Sequence, residues 1–282
     1  MKLRIATWNI HKGVSALGRR PRVHAIKQAL AGIGADIVFL QEVQGRHDLL
    51  ALKHASWPSQ AQHEFLAGEA QHSAYGKNAV YDHGHHGNAL LSSFPIAAVR
   101  NHDVSDHAFE SRGILHCVVT VDTRVIHCYV IHLGLFAISR WRQTEALIDA
   151  VCASAPADAP LLIAGDFNDW TNALSASLRE RLGVTEVFDR QLSASRFGSY
   201  LRRLAGRGPR KAPARTFPAA MPMLQLDRIY VRGFEVLEAT VLHGPSWARL
   251  SDHAPIIAEL VLQSPKLQTA ADPLNEMVDA GG

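Results

Sequence analysis

Short apolar runs rich in β-branched residues recur along the chain at 3–7, 37–40, 89–92, 114–121, 125–132, 161–164, 226–231 and 256–262. Runs of this length predict strands wedged in a core. Between them, 22–32 sets Val23, Ile26, Ala29 and Leu30 at helical spacing and stops at Gly32. An amphipathic pattern over 139–153 carries Trp141, Ala146, Leu147, Ile148 and Val151, and 172–182 offers a third helix. The pair 114–121 and 125–132 predicts a hairpin about Asp122-Thr123, hence antiparallel pairing. Strand–helix–strand units elsewhere put helices on the outer faces. The mixture predicts an α+β protein, a four-layer α/β/β/α sandwich of two mixed, mainly antiparallel sheets. No repeat period is visible. One domain over 1–262 is expected, followed by a disordered tail over 263–282, which has few large apolar residues.

The strands end in polar residues. Residues 161–169 read Leu-Leu-Ile-Ala-Gly-Asp-Phe-Asn-Asp, where Gly165 lets the backbone leave the strand and Asp166 and Asn168 project to one side. An Asx-rich turn explains that pattern when it stands alone. Six further clusters repeat it: Thr7-Trp8-Asn9-Ile10-His11, Gln41-Glu42, His86-Gly87-Asn88, Val130-Ile131-His132, Leu226-Asp227-Arg228 and Ser251-Asp252-His253. Each has a structural explanation as a turn, cap or core histidine. A core tolerates so many polar groups only when they converge and satisfy one another.

Bulk composition excludes other classes. The apolar fraction is 47% and the charged fraction 20%, ordinary for a globular enzyme. The N-terminus has no signal-like stretch and no run approaches a membrane span, which predicts a soluble, cytoplasmic protein; a monomer is expected. Cys117, Cys128 and Cys152 are scattered without a CxxC pair and read as small buried hydrophobes in a reducing compartment. Net charge is +3. From Arg190 to Leu226 there are eight basic residues and no acid, with Arg202, Arg203, Arg207 and Arg210 as candidate contacts to a polyanion or an anionic membrane.

Carboxylates and carboxamides without thiolates suit a hard cation such as Mg²⁺. Glu42 is the leading ligand candidate, with Asn9 and Asp252 behind it. A histidine beside carboxylates stays protonated and stabilises an oxyanion. Hard metal, carboxylate base and cationic histidine together describe attack of water on a phosphoester.

Thr7-Trp8-Asn9, Gln41-Glu42, Gly165-Asp166-Phe167-Asn168, Leu226-Asp227-Arg228-Ile229 and Ser251-Asp252-His253, in this order, resemble the endonuclease/exonuclease/phosphatase superfamily, and within it the bacterial YbhP-like branch. The resemblance covers about 2–262. It implies the deoxyribonuclease I-like sandwich and a metal-dependent phosphoesterase with its site between the sheets. It further implies Mg²⁺, or Mn²⁺ in its place, on Glu42 with Asn9 and Asp252. Asp166 would orient or deprotonate water, and Asn168 would hold that water or the phosphate. His253 would contact phosphoryl oxygens, with Asp227 on its other ring nitrogen. His132 matches the second histidine of the deoxyribonuclease and sphingomyelinase branches, and Arg112 sits where an arginine often supports the phosphate. Asn88 fits a structural strand start.

A nucleic-acid phosphodiesterase, endo- or exonuclease on DNA or RNA, is the favoured expectation, from pI and the arginine-rich segment. The alternative is a phospholipid or small-headgroup phosphodiesterase or phosphatase at an anionic membrane, because Leu201, Leu204, Phe217, Met221, Met223 and Leu224 surround the arginines. A non-catalytic binding module is disfavoured by the full set of acids and histidines. His83, His85 and His86 form a cluster outside the family pattern; it reads as a solvated Gly/His loop, with transition-metal binding or cleft lining as the alternatives.

Overall fold

The structure is a computed structural model in which residues 1–15, 20–107, 110–190 and 214–264 are described. In chain order the strands are β1 (Lys2–Asn9), β2 (Ile37–His47), β3 (His72–Tyr81), β4 (Gly84–Ser92), β5 (Ile96–Asp103) and β6 (Gly113–Val121). Then come β7 (Arg124–His132), β8 (Leu161–Asp166), β9 (Thr185–Glu186), β10 (Asp227–Arg232), β11 (Phe234–Val241) and β12 (Ile256–Leu262). The helices that matter for layering are α1 (Val23–Ile33), α2 (Asp48–Lys53), α3 (Gln62–Ala67), α4 (Ala137–Ser154) and α5 (Ser175–Leu182).

Two six-stranded sheets form, in the orders β11-β12-β1-β2-β4-β3 and β5-β6-β7-β8-β10-β9. Each contains one parallel pair, β1 with β2 and β7 with β8; every other pairing is antiparallel. A parallel pair needs a crossover, supplied here by α1 and α4. Alternation along the strands sends one set of side chains between the sheets, among them Leu3, Ile5, Phe39, Leu90, Leu115, Cys128, Val130, Leu162 and Ile229. The opposite set packs outward. Trp8, Val38 and Leu40 meet Val23, Ile26 and Leu30 of α1, while Tyr129, Ile131 and Ile163 meet Leu147 and Val151 of α4 and Leu178 of α5. These three apolar layers hold the helix–sheet–sheet–helix sandwich together, each fully buried aliphatic side chain contributing about 1.5–3 kcal/mol. The expected fold class is the one observed. No helix among the described residues is long and apolar enough to cross a membrane.

Several local expectations are corrected. The second strand does not stop at Leu40: it runs to His47 through a bulge between Leu40 and Val43, where Glu42 takes φ 56°. Gly165 serves close approach, since a Cβ there would lie 1.9 Å from the Ile131 carbonyl oxygen. Cys117 and Cys128 are buried, but Cys152 is exposed on α4. Of the histidine cluster, His85 and His86 lie within β4, not in a solvated loop. Arg202, Arg203, Arg207 and Arg210, and the tail from 265, lie outside the described residues.

Candidate active site

The register of the second sheet sets three candidate side chains in one row. His132 is the last residue of β7 and pairs with Asp166, the last of β8; Asp166 pairs in turn with Asp227, the first of β10. Asn9 ends β1 in the facing sheet, and its Nδ2 donates to Asp166 Oδ2 at 3.2 Å. The site therefore sits where the ends of both sheets meet, outside the carboxyl ends of the two parallel pairs.

Asp166 is fully buried. Its Oδ1 accepts from the Asn168 backbone N–H at 3.0 Å, and its Oδ2 lies 3.6 Å from His132 Nε2 and 3.8 Å from His253 Nε2. Burial pushes its carboxyl up to about 6, against the opposing pull of the His253 charge. Asn168 has φ 50°, a left-handed backbone that turns the chain out of the strand, and its Nδ2 donates to Leu133 O at 2.9 Å.

His253 lies in the loop before β12. Its Nδ1 bonds Asp227 Oδ2 at 2.8 Å, and its backbone oxygen accepts from Trp8 Nε1 at 2.9 Å. Burial alone would lower this histidine; the charges of Asp227 and Asp166 override burial and raise it to about 10. His132 behaves oppositely. Burial, then the charge of Arg112, hold it well below the ordinary histidine value, so it is neutral. One site thus pairs a protonated and a neutral imidazole.

Thr216 and His11 complete the arrangement, and neither was among the candidates. Thr216 is fully buried and its Oγ1 donates to Asp227 Oδ2 at 2.5 Å. Nothing in its loop sequence marks it. His11 stands in the quoted first motif, and its Nδ1 lies 3.2 Å from Asp252 Oδ2. That hydrogen bond raises His11, and the charges of Asp252 and Glu42 add to it, so the three groups face one another. Burial would raise Asp252, but the hydrogen bond from His11 and the His253 charge hold it below the usual carboxylate range.

Two groups of candidate metal donors result. Asp166, Asp227 and His253 offer ligand atoms within 4.8 Å of one another, the one such group of three His, Cys, Asp or Glu residues among those described. Asn9, Glu42 and Asp252 border His11. Arg112 precedes β6, anchored by its N–H on Ser105 Oγ at 3.0 Å. Asn88 is buried mid-strand in β4 and bridges the sheets, donating to Gly113 O at 2.8 Å and Val130 O at 3.3 Å. Asp169 caps the following loop, accepting from Leu174 N at 2.9 Å and Thr171 Oγ1 at 3.0 Å.

Residues 6–253 match the model of the Endonuclease/Exonuclease/phosphatase family. The protein YbhP of Escherichia coli (strain K12) is 41% identical over 262 residues, covering 92% of this chain and 96% of that one. Among solved structures, an endonuclease/exonuclease/phosphatase from Beutenbergia cavernae has a TM-score of 0.68 at 19% identity, over 94% of this chain and 72% of that one. The human Nocturnin catalytic domain has a TM-score of 0.68 at 18% identity, over 93% and 94%. D. rerio TDP2, complexed with single strand DNA product, has a TM-score of 0.64 at 20% identity, over 92% and 99%. The structural likenesses establish a shared fold. With the family match over nearly the whole chain, the protein belongs to the endonuclease/exonuclease/phosphatase family and is a hydrolase acting on phosphoester bonds.

Proposed function

We propose that the chain is a Mg²⁺-dependent phosphodiesterase acting on nucleic acid, in which Asp166 takes the proton of the attacking water and His253 neutralises a phosphoryl oxygen. The observation that carries this reading is the pairing of a carboxyl near 6 with an imidazolium near 10, at 3.8 Å, in one buried site. A base of that strength is suited to accept a proton near neutral pH. Asn168, rigid in its left-handed turn, would orient the water. Asp227 and Thr216 hold the His253 ring by Nδ1, which leaves Nε2–H to face the developing charge. Neutral His132 would donate a second hydrogen bond to the same phosphate.

The donor set fits a hard cation. The Glu42 carboxylate makes no hydrogen bond or ion pair among the described residues, and its charge bears on His11 beside Asp252. With Asn9 it supplies oxygen donors without thiolate, which suits Mg²⁺, with Mn²⁺ as substitute. The Asp166, Asp227 and His253 group is a poorer ligand set, because His253 Nδ1 and Asp227 Oδ2 are already committed to each other. Once bound, the cation supplies Lewis-acid polarisation of a phosphoryl oxygen.

Nucleic acid as substrate is supported by the family and by the cationic lining of Lys12 and Arg112. Arg202, Arg203, Arg207 and Arg210 would extend phosphate contact, which makes binding steeply salt-dependent. A lipid phosphodiester is the second reading, because Leu135, Phe136 and Ile138 follow His132 and stand 61%, 64% and 67% exposed. The test is a screen with Mg²⁺ or Mn²⁺ against abasic DNA, single-stranded DNA, RNA and anionic phospholipid. Asp166→Ala and His253→Ala should abolish hydrolysis with the fold intact; near wild-type turnover by either overturns the mechanism. Co-sedimentation with anionic vesicles, lost when Arg202 and Arg203 become Glu, would favour the lipid reading.

A further inference from the structure

The histidine cluster gains a role once β4 is placed. His86 and Asn88 are two residues apart on one strand and so share a face. Asn88 reaches Gly113 O and Val130 O of the second sheet, so His86 also faces the gap between the sheets, at its mouth. Its Nδ1 is buried without a hydrogen-bond partner, and so is Nε of Arg112, the residue just before Gly113. A buried polar atom with no partner costs stability, roughly 1–3 kcal/mol for a neutral group, and is retained where a ligand completes it.

Lys12 reaches the same place by an unusual backbone. His11, Lys12 and Gly13 take φ of 45°, 57° and 69° in succession. Two consecutive non-glycine residues in the left-handed region are strained and persist only where surroundings enforce them. Here Gln62, itself buried, donates Nε2 to Lys12 O at 2.9 Å, while Asn9 Oδ1 accepts from His11 N at 3.1 Å. A Cβ on Gly13 would meet Gln62 Nε2 at 2.4 Å, so the turn is built around that amide. The charges bearing on His86 are those of Lys12, Arg112 and His85, with no carboxylate among them.

We infer that Lys12, His86 and Arg112 form a second anion subsite beside the hydrolytic centre, taking a phosphate of the substrate other than the one cleaved. The inference rests on the proposed phosphodiesterase reading and narrows it: the substrate carries at least two phosphates. Lys12 and Arg112 supply the charge, and His86 donates a hydrogen bond from its unpartnered nitrogen. The second phosphate is either a terminal monoester or a flanking diester, and both present the same oxygens.

Three short oligonucleotides separate these sources: TpT with one phosphate, pTpT with an added terminal monoester, and TpTpT with an added nucleoside and diester. In the wild type, kcat/KM for pTpT, TpTpT or both should exceed that for TpT by about tenfold or more, the gain expected of charge-assisted hydrogen bonds. The arm that shows the gain identifies the source. Lys12→Met and His86→Ala, each checked for an unchanged melting temperature, should bring that ratio near one, chiefly through KM. A ratio near one in the wild type, or a ratio kept in both variants, overturns the subsite. Should no phosphodiester be cleaved, the hydrolytic reading fails separately. The subsite is then read by calorimetric binding of pyrophosphate to the metal-free protein. Weakening of about fivefold or more by both variants supports it, and equal or absent binding overturns it.

Discussion

His253 Nδ1 and Asp227 Oδ2 meet at 2.8 Å across the boundary between the sheets, one residue preceding β12 and the other opening β10. The bond both locks the imidazole and keeps it charged. Asp227→Asn removes the largest favourable charge on His253, so its pKa falls from about 10. The sign follows: a raised histidine adds stability that is complete below its ordinary value of 6.5 and lost as pH climbs through about 10. Ring-nitrogen NMR on the metal-free protein should show His253 protonated at pH 8 in the wild type and titrating lower in the variant. Its kcat should fall by about 10²–10³, the usual cost of losing a positioned donor.

Asp166 carries the opposite sign. Its ionised form is disfavoured on folding, because burial lifts the group from 3.8 to about 6. That penalty is absent below pH 3.8, grows between the two values and is complete above about 6. Asp166→Asn should therefore melt higher than the metal-free wild type by about 2–5 °C at pH 7.5, with the gain vanishing near pH 3.5. Hydrolysis should be lost in the same variant. A lower melting temperature at pH 7.5 would refute the burial account.

Glu42→Gln keeps shape and removes charge. The Mg²⁺ concentration for half-maximal activity should rise by about tenfold or more, since a hard cation draws its affinity from carboxylate charge. Chelation with EDTA should abolish wild-type activity, and added Mg²⁺ should restore it. An unchanged Mg²⁺ requirement in the variant would move the metal to the other donor group.

Gly165→Ala tests the close approach of β7 and β8. The new Cβ would sit 1.9 Å from Ile131 O, which is backbone and cannot rotate away. Urea denaturation should show a loss of about 2–4 kcal/mol, in the range of overpacking with backbone strain. Because the residue adjoins Asp166, activity should fall further than stability alone explains.

The sequence revealed the eight interior strands and concealed the others for one physical reason. The strands β3, β5, β9 and β11 are the four edges of the two sheets. Edge strands present one side to water and need no continuous apolar run: β5 is exposed along most of its length. Asn9, Asp166, Asn168, Asp227 and His253 were visible together, because a core tolerates so many polar residues at strand ends only where they converge. Thr216 was hidden, since a hydroxyl in a loop is ordinary until its partner Asp227 is seen. His86 was misplaced in a loop because Gly84 and Gly87 imitate a turn, whereas Gly87 serves close strand packing: a Cβ there would lie 1.9 Å from Gly76 O.

The pairing of β1 with β12 has a consequence for how the enzyme comes into being. Lys2 is registered with Val261, so the first strand, already able to pair with β2, awaits β12 for its second partner. Asp252 and His253 arrive just ahead of that final strand. Contacts this distant in sequence form late and slowly. A ribosome-bound chain therefore carries Asn9, Glu42 and Asp166 before His253 exists beside them, so the cluster described above assembles only after β12 is made.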